Sequence, residues 1–349
     1  MSQKKRAIVV CPGRGSYNKE EMGYFARYHS DKSSLLNSFD QYRNQQGAEL
    51  ISTLDNSASF NLKKHTSADN ASSLIYACAY ADSLAIDTEQ YELVAVTGNS
   101  MGWYIALAVA QAMNAENALQ LIDTMGAIMA SDAQGDQLIY PLVDEHWQID
   151  LSRKAALESL LDEVNINYPN GLFLSIDLGG YWVFAGTTAA INALQEKLPV
   201  IDERYPVKLF NHAAYHSPLM AEISAKAMNI LEQDKFVAPK VPLIDGLGHI
   251  WQPYSTDLDK LFNYTLSTQV TETYHFNRAI EVAIKEFAPE HIILLGPGSS
   301  LGGSIAQNLI NMQWQGLSCK QAFIERQKSS PVLLSMGIES QRRLVVKAS

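Results

Sequence analysis

The sequence has little cysteine, and its three cysteines, Cys11, Cys78 and Cys319, are widely separated with no Cys-x-x-Cys pair. This spacing argues against a disulfide framework and a structural zinc site, so no metal is expected. Positive charge is also scarce: the net charge of −10 argues against a nucleic-acid partner, because a phosphate backbone requires a basic face. No apolar run reaches the roughly 18 residues of a membrane-spanning helix. We therefore expect a cytoplasmic protein that binds neither nucleic acid nor membrane.

Short apolar runs that end in glycine-rich turns predict the strands of a parallel sheet. They lie at 7–15, 91–100, 241–248 and 291–300. Continuous apolar runs of this length suit strands that are covered on both faces. Helical patterns fill the intervals between them, and this alternation is typical of an α/β domain.

In residues 132–208 the alternating strand and helix patterns become shorter, and a Gly-Gly turn lies at 179–180. We interpret these residues as a small α+β subdomain inserted into a larger domain, which comprises 1–131 and 209–330. The remaining residues, 331–349, are polar and basic. They are expected to form a loosely held carboxy-terminal tail.

A Gly-x-Ser-x-Gly pattern, Gly98-Asn99-Ser100-Met101-Gly102, follows a predicted strand and precedes a predicted helix. In such a pattern the serine occupies a sharp, strained turn that lifts its hydroxyl above the sheet. The amide of the next residue can then face a developing oxyanion. Ser100 is therefore a candidate nucleophile, and a structural turn is the alternative.

A nucleophilic serine needs a base that accepts its proton, and two histidines are candidates. His216 precedes Ser217 and Pro218, which are typical of an N-cap and a first-turn proline. His212 lies four residues earlier. The residues alone do not distinguish the two.

Five segments, in order along the chain, resemble motifs of malonyl-CoA:acyl carrier protein transacylases and of the acyltransferase domains of polyketide and fatty acid synthases. They are VCPGRGSY, GNSMGWYIAL, LIDTMGAIM, AAYHSPLM and LLGPGSSLGG, and the resemblance covers about residues 6–310. It implies a hydrolase-like α/β domain with a small ferredoxin-like insert, in agreement with the pattern at 132–208. It also implies that Ser100 is the nucleophile and His216 its base, with no triad aspartate.

The resemblance implies roles for further residues around this pair. A backbone carbonyl in the segment TETYHF, assigned to His275, would orient the imidazole. The backbone amides of Met101 and Arg14 would hold the tetrahedral oxyanion. The substrate would be contacted by Asn99, Met125, Tyr215 and Arg14.

The implied reaction is an acyl transfer in two steps. Ser100 attacks an acyl-CoA thioester, and the phosphopantetheine thiol of an acyl carrier protein then takes the acyl group from the serine ester. Acyl-CoA and the carrier protein are thus the expected partners, and the coenzyme A thioester is a substrate. No tightly bound cofactor is expected, and the chain is expected to be a monomer.

The sequence departs from the family pattern at four positions. Asn99 and Trp103 replace the usual histidine and glutamate, and Arg14 replaces a glutamine. Met125 stands where relatives that take malonate have an arginine that pairs with the free carboxylate. Because methionine cannot offset the desolvation of a carboxylate, we predict a neutral acyl group, acetyl or longer, in an apolar space. Malonyl transfer with Arg14 as the cation is the alternative.

Three other functions fit parts of the same sequence. A thioester hydrolase of the same family would use water in place of the carrier thiol. A non-catalytic subunit that docks carrier proteins is conceivable because of Asn99 and Trp103. A different hydrolase family would need the order serine, aspartate, histidine, for which Asp245 with His249 or His291 could be proposed.

Overall fold

The computed structural model describes residues 3–347. The strands are β1 (Lys5–Cys11), β2 (Tyr91–Gly98), β3 (Asp136–Pro141), β4 (Leu172–Asp177), β5 (Tyr181–Gly186), β6 (Val207–Lys208), β7 (Leu243–Ile244), β8 (Ile250–Trp251), β9 (Tyr274–His275), β10 (His291–Leu294) and β11 (Leu333–Ser335). The α-helices are α1 (Tyr24–Tyr28), α2 (Ser33–Gln45), α3 (Ile51–Asp55), α4 (Leu62–His65), α5 (Ala68–Ala85), α6 (Gly102–Val109), α7 (Ala115–Asp132), α8 (Leu151–Asn167), α9 (Thr188–Lys197), α10 (Ala221–Ile230), α11 (Leu258–Asn263), α12 (Gln269–Thr271), α13 (Phe276–Phe287), α14 (Gly302–Asn311), α15 (Lys320–Ser329) and α16 (Glu339–Arg342). None of the helices in this part of the chain combines the length and the apolar character needed to cross a membrane.

The larger sheet has the strand order β11-β10-β1-β2-β7-β8. All of its pairs are parallel except β7–β8. Residues 7–11 of the central strand β1 are completely buried, as expected for an apolar strand that is covered on both faces. Helix α6 packs against β1 and β2, and α13 packs against β2. The predicted parallel α/β sheet is therefore confirmed, although its strand in 241–248 is only two residues long.

The smaller sheet has the strand order β6-β3-β5-β4-β9. Along the chain its elements run β3-α8-β4-β5-α9-β6, which is the βαββαβ order of a ferredoxin-like unit. Leu157, Phe184 and Ile191 belong to its separate apolar core. The predicted insert 132–208 contains all of these elements. Strand β9 comes from the later part of the chain and pairs in parallel with β4, so it extends the small sheet at one edge.

The expectation of a loosely held tail after residue 330 is wrong. Strand β11 pairs in parallel with β10 and forms one edge of the larger sheet. Val332, Leu334 and Met336 are buried there, and the Arg342 side chain is paired with the buried Asp82. The segment looks polar by composition, but its few apolar residues and one arginine are the ones that enter the core.

Candidate active site

Ser100 lies on the sharp turn between β2 and α6. Its φ of 56° is in the left-handed region, which is strained for a residue with a side chain. The flanking glycines permit this turn: a Cβ on Gly98 would overlap the carbonyl of Gly102, and one on Gly102 would overlap the carbonyl of Cys11. The Gly-x-Ser-x-Gly pattern therefore reflects two close backbone contacts, and it presents the serine at the end of β2.

His216 is the histidine that the fold brings to Ser100. Its Nε2 lies 2.7 Å from Ser100 Oγ, and its Nδ1 lies 2.6 Å from the carbonyl oxygen of Gln269. Because a carbonyl can only accept, Nδ1 carries the proton and Nε2 is free to accept the proton of the serine hydroxyl. His216 also has a positive φ, 54°, just before the turn that leads into α10.

Burial sets the protonation state of His216. The residue is 4% exposed, and this burial lowers its pKa to about 4, partly opposed by the hydrogen bond to the Gln269 carbonyl. A buried imidazole resists protonation because its charged form loses hydration. His216 is therefore neutral at pH 7, the state that a general base requires.

The assignment of His275 as the residue that orients the imidazole is wrong. His275 lies in β9, where its amide donates to the Gly246 carbonyl, and the carbonyl that accepts from His216 belongs to Gln269. A π-helical turn at Tyr264–Thr268 leads directly into α12, which begins at Gln269, six residues before His275. This irregular turn is a tertiary feature, and the sequence gives no signal for it.

The side chain of Gln269 also contacts the turn that bears the nucleophile. Its Nε2 donates to the Ser100 carbonyl at 3.1 Å, and its Oε1 accepts from the Tyr104 hydroxyl at 3.0 Å. One buried residue thus holds the backbone of the serine and the ring of the histidine. Sequence reasoning missed it because a buried glutamine outside any motif has no local signature.

The predicted oxyanion donors are near Ser100 and are unpaired. Within residues 3–347, neither the Met101 amide nor the Arg14 amide donates a hydrogen bond, whereas the Gly102 amide donates to the Asn99 carbonyl. Met101 also lies at the amino-terminal end of α6, where the helix dipole favours negative charge. The role of these two amides stays a prediction.

Ser100 lies where a narrow pocket meets a wide cleft. The pocket has a volume of ≈ 30 Å³ and the cleft ≈ 560 Å³, and Arg14 and Tyr215 line both of them. The remaining pocket residues are mostly apolar, and they are Ser72, Met101, Tyr104, Ile122, Met125, Gly126, Met129, Val270, His216 and Gln269. Asn99 lines the cleft. The structure therefore places all four predicted substrate contacts on the walls of these two spaces.

Arg14 joins three loops around the site. Its Nη1 donates to the Tyr215 hydroxyl at 2.8 Å, and its Nη2 donates to the carbonyls of Thr66 and Asn211 at 2.9 and 2.8 Å. A guanidinium binds a carboxylate with two hydrogen bonds either through Nε and Nη2 or through Nη1 and Nη2, so both geometries use Nη2. Because both N–H groups of Nη2 already donate to carbonyls, Arg14 cannot bind a carboxylate in either geometry without losing one of these hydrogen bonds.

Other candidates from the sequence lie outside the catalytic contact. Trp103 is buried in the core, where its indole N–H donates to Thr265, and it lines neither space at Ser100. Asp245 accepts from the Trp251 indole N–H and from two backbone amides. Asp245 does not contact His216, whose Nδ1 bonds to Gln269. Residues 3–347 contain no group of three or more His, Cys, Asp or Glu that could hold a metal ion.

Comparison with known proteins bears on the family resemblance. No family model matches the sequence. The chain is 26% identical over 238 residues to a non-reducing polyketide synthase of Aspergillus terreus. This alignment covers 65% of the chain but only 8% of the synthase. It is 25% identical over 302 residues, 85% of the chain and 94% of the relative, to the polyketide biosynthesis malonyl CoA-acyl carrier protein transacylase PksC of Bacillus subtilis.

Solved structures share the fold. The malonyl-CoA:acyl carrier protein transacylase of Xanthomonas oryzae has a TM-score of 0.73 at 15% identity, covering 99% of this chain and 100% of its own. The malonyl-CoA:ACP transacylase of Synechocystis has a TM-score of 0.71 at 18% identity, covering 98% and 100%. The resemblance predicted from the motifs is thus confirmed: the chain is similar to malonyl-CoA:acyl carrier protein transacylases and to a polyketide synthase, and it has the fold of the transacylases, a hydrolase-like α/β domain with a ferredoxin-like subdomain.

Proposed function

We propose that the protein transfers an acyl group from acyl-CoA to the phosphopantetheine thiol of an acyl carrier protein through an ester on Ser100. The observation that carries this proposal is the chain of contacts from Ser100 Oγ to His216 Nε2 and from His216 Nδ1 to the Gln269 carbonyl. The names of the relatives, which are transacylases and polyketide synthases, support a thioester donor and a carrier acceptor.

The contacts support a path for the proton in each half of the reaction. Ser100 Oγ attacks the thioester carbon and gives its proton to His216 Nε2, and the Gln269 carbonyl stabilises the imidazolium. The oxyanion would face the amides of Met101 and Arg14. The coenzyme A thiolate leaves with the proton from His216. In the second half the carrier thiol gives its proton to His216 and attacks the serine ester, and His216 returns the proton to Ser100 Oγ as the ester bond breaks.

The walls of the narrow pocket favour a short neutral acyl group. Met125 is 1% exposed and lines this pocket with other apolar residues. Arg14 is the one cation among the pocket residues, and the Nη2 group that it would need for bidentate carboxylate binding already donates to two backbone carbonyls. A malonyl carboxylate would therefore lose its hydration without gaining a bidentate partner, at a cost of several kcal/mol. The volume of ≈ 30 Å³ suits an acetyl group, and a longer chain requires the methionine side chains to rotate.

The first prediction is that acetyl-CoA acylates Ser100 and malonyl-CoA does so much more slowly. Intact-mass spectrometry of the protein after incubation with acetyl-, longer saturated acyl- and malonyl-CoA measures this, with Ser100→Ala as the control that takes up no acyl group. The acylated protein is then mixed with a carrier protein with and without its phosphopantetheine. Discharge only onto the phosphopantetheine form supports the transferase, and equal loss into water shows a hydrolase. Absence of an adduct with every thioester overturns the proposal.

The second prediction concerns Met125. The variant Met125→Arg is expected to raise the ratio of malonyl to acetyl transfer about 10- to 100-fold, because a guanidinium then faces the acyl carboxylate. The matched control Met125→Leu keeps an apolar side chain of similar volume and should leave the ratio unchanged. Rates of Ser100 acylation with each donor provide the measurement. Fast malonyl transfer by the unmodified protein that is lost in Arg14→Ala would show that Arg14 binds the carboxylate.

A further inference from the structure

His212 lines the wide cleft but has no part in the proton transfers described above. Its Nδ1 lies 2.7 Å from Gln137 Oε1. The other end of that amide, Nε2, donates to Ser175 Oγ at 2.6 Å and to the Tyr215 carbonyl at 3.4 Å. Because a carbonyl only accepts, the Tyr215 contact fixes which end of the amide is the donor. Gln137 Oε1 is therefore an acceptor, and His212 carries its proton on Nδ1.

The Nε2 atom of His212 is consequently a hydrogen-bond acceptor. It bonds to no atom of residues 3–347, and His212 lines the cleft together with Arg14 and Ser100. Burial, followed by the charge of Arg14, lowers the pKa of His212 well below its ordinary value, so the ring stays neutral at pH 7. Gln137 is 1% exposed and Ser175 is fully buried, so the hydrogen bonds that orient the His212 ring are shielded from water.

Two residues that line the same cleft also have a side-chain oxygen without a donor. Asn99 Oδ1 and Gln307 Oε1 are buried, and neither has a hydrogen-bond partner in residues 3–347. Unpaired buried acceptors are rare because each costs about 1–3 kcal/mol of lost hydration. Much of the remaining wall is apolar or aromatic, including Ile176, Leu178, Val183 and Leu209. An apolar wall with a free acceptor at His212 Nε2 suits a ligand whose chain carries an N–H or O–H donor.

We propose that His212 Nε2 binds the substrate by accepting a hydrogen bond from an amide N–H of the arm that carries the thioester. This inference rests on the proposed function, in which the donor and the carrier both present a pantetheine arm. That arm contains two amide N–H groups beyond the sulfur. The cleft, at ≈ 560 Å³, is within the range of small-molecule sites. Because both half-reactions use the same arm, His212 contributes to the binding of donor and acceptor alike.

The test compares donors with and without the amides. His212→Asn can keep the hydrogen bond to Gln137 but lacks the acceptor, whereas His212→Gln can place an oxygen near the former Nε2. For His212→Asn, the ratio of kcat/KM for S-acetyl pantetheine to that for S-ethyl thioacetate should fall about tenfold, mainly through KM. His212→Gln should recover most of this ratio. His249, which does not line the cleft, gives the control His249→Asn with an unchanged ratio.

Binding measured without turnover separates this inference from the proposed function. Calorimetry with pantetheine on Ser100→Ala and on Ser100→Ala with His212→Asn should show about tenfold weaker binding for the double variant. An unchanged affinity, or an equal loss of kcat/KM for both thioesters, would overturn the role of His212. Failure of the unmodified protein to react with any thioester would instead refute the transferase, and the binding result would still decide the role of His212.

Discussion

Replacement of His216 by asparagine is expected to slow the acylation of Ser100 by about 10³-fold. Asparagine tolerates the positive φ of this position and can still donate to the Gln269 carbonyl, so the loop should keep its conformation. The variant lacks the Nε2 atom that lies 2.7 Å from Ser100 Oγ, so the serine has no proton acceptor. Single-turnover acylation by S-ethyl thioacetate, followed by quenching and mass spectrometry, measures the step directly.

His212→Asn is the matched control for this experiment. It makes the same chemical change four residues away, at a histidine that does not contact Ser100 Oγ. With a donor that has no amides, its acylation rate should stay close to that of the unmodified protein. If His212→Asn lost as much activity as His216→Asn, the assignment of His216 as the base would be contradicted.

The pH profile is a second readout of the same prediction. The pKa of His216 is lowered to about 4 by burial, and only the neutral imidazole can accept the serine proton. The kcat/KM for acylation should therefore be flat at neutral pH and fall to half near pH 4. A half-point near 6.5, the ordinary value for histidine, would mean that the imidazole is hydrated in the free protein. Circular dichroism at each pH shows whether the protein is still folded.

The turn that bears Ser100 was predictable from a local motif, whereas the choice of His216 over His212 came from the family resemblance. The glycines around Ser100 are required by close backbone contacts, and Ser217 and Pro218 mark the turn after His216. The carbonyl that orients the imidazole was not predictable. Any residue has such a carbonyl, and the choice of Gln269 depends on how a π-helical turn packs against the loop of His216.

In the fold too, elements with a local sequence pattern were predictable, whereas those set by tertiary packing were not. Short continuous apolar runs predicted β1, β2 and β10 and the α/β class, and the shorter strand and helix patterns at 132–208 predicted the inserted subdomain. Strands β8, β9 and β11 have two or three residues each, which is too short for any periodic pattern. Their pairing is set by the neighbours that they meet in the folded chain.

The carboxy-terminal segment is the clearest case, because a buried ion pair adds to the strand pairing and apolar burial that hold it. Arg342 Nη1 lies 2.5 Å from Asp82 Oδ1, and both side chains are almost fully buried. Asp82 also accepts from the Tyr24 hydroxyl and the Gly296 amide, each at 2.8 Å. Burial raises the pKa of Asp82, but His29 and Arg342 outweigh that effect and hold it below its usual value. An arginine in a polar sequence gives no sign of such a partner 260 residues away.

Replacement of Arg342 by methionine is therefore expected to lower the free energy of unfolding by about 3 kcal/mol, because the buried Asp82 carboxylate loses its arginine. Asp82 keeps its contact with His29 and the hydrogen bonds from Tyr24 and Gly296, which limit the loss. Urea unfolding followed by circular dichroism gives the value. The neighbouring Arg343 pairs with Glu339 on the surface, so Arg343→Met should change stability little. Adding Asp82→Asn to Arg342→Met should recover part of the loss, since a neutral amide costs less to bury than an unpaired carboxylate. Equal stability of the two arginine variants would show that the segment is held by the apolar residues of β11 alone.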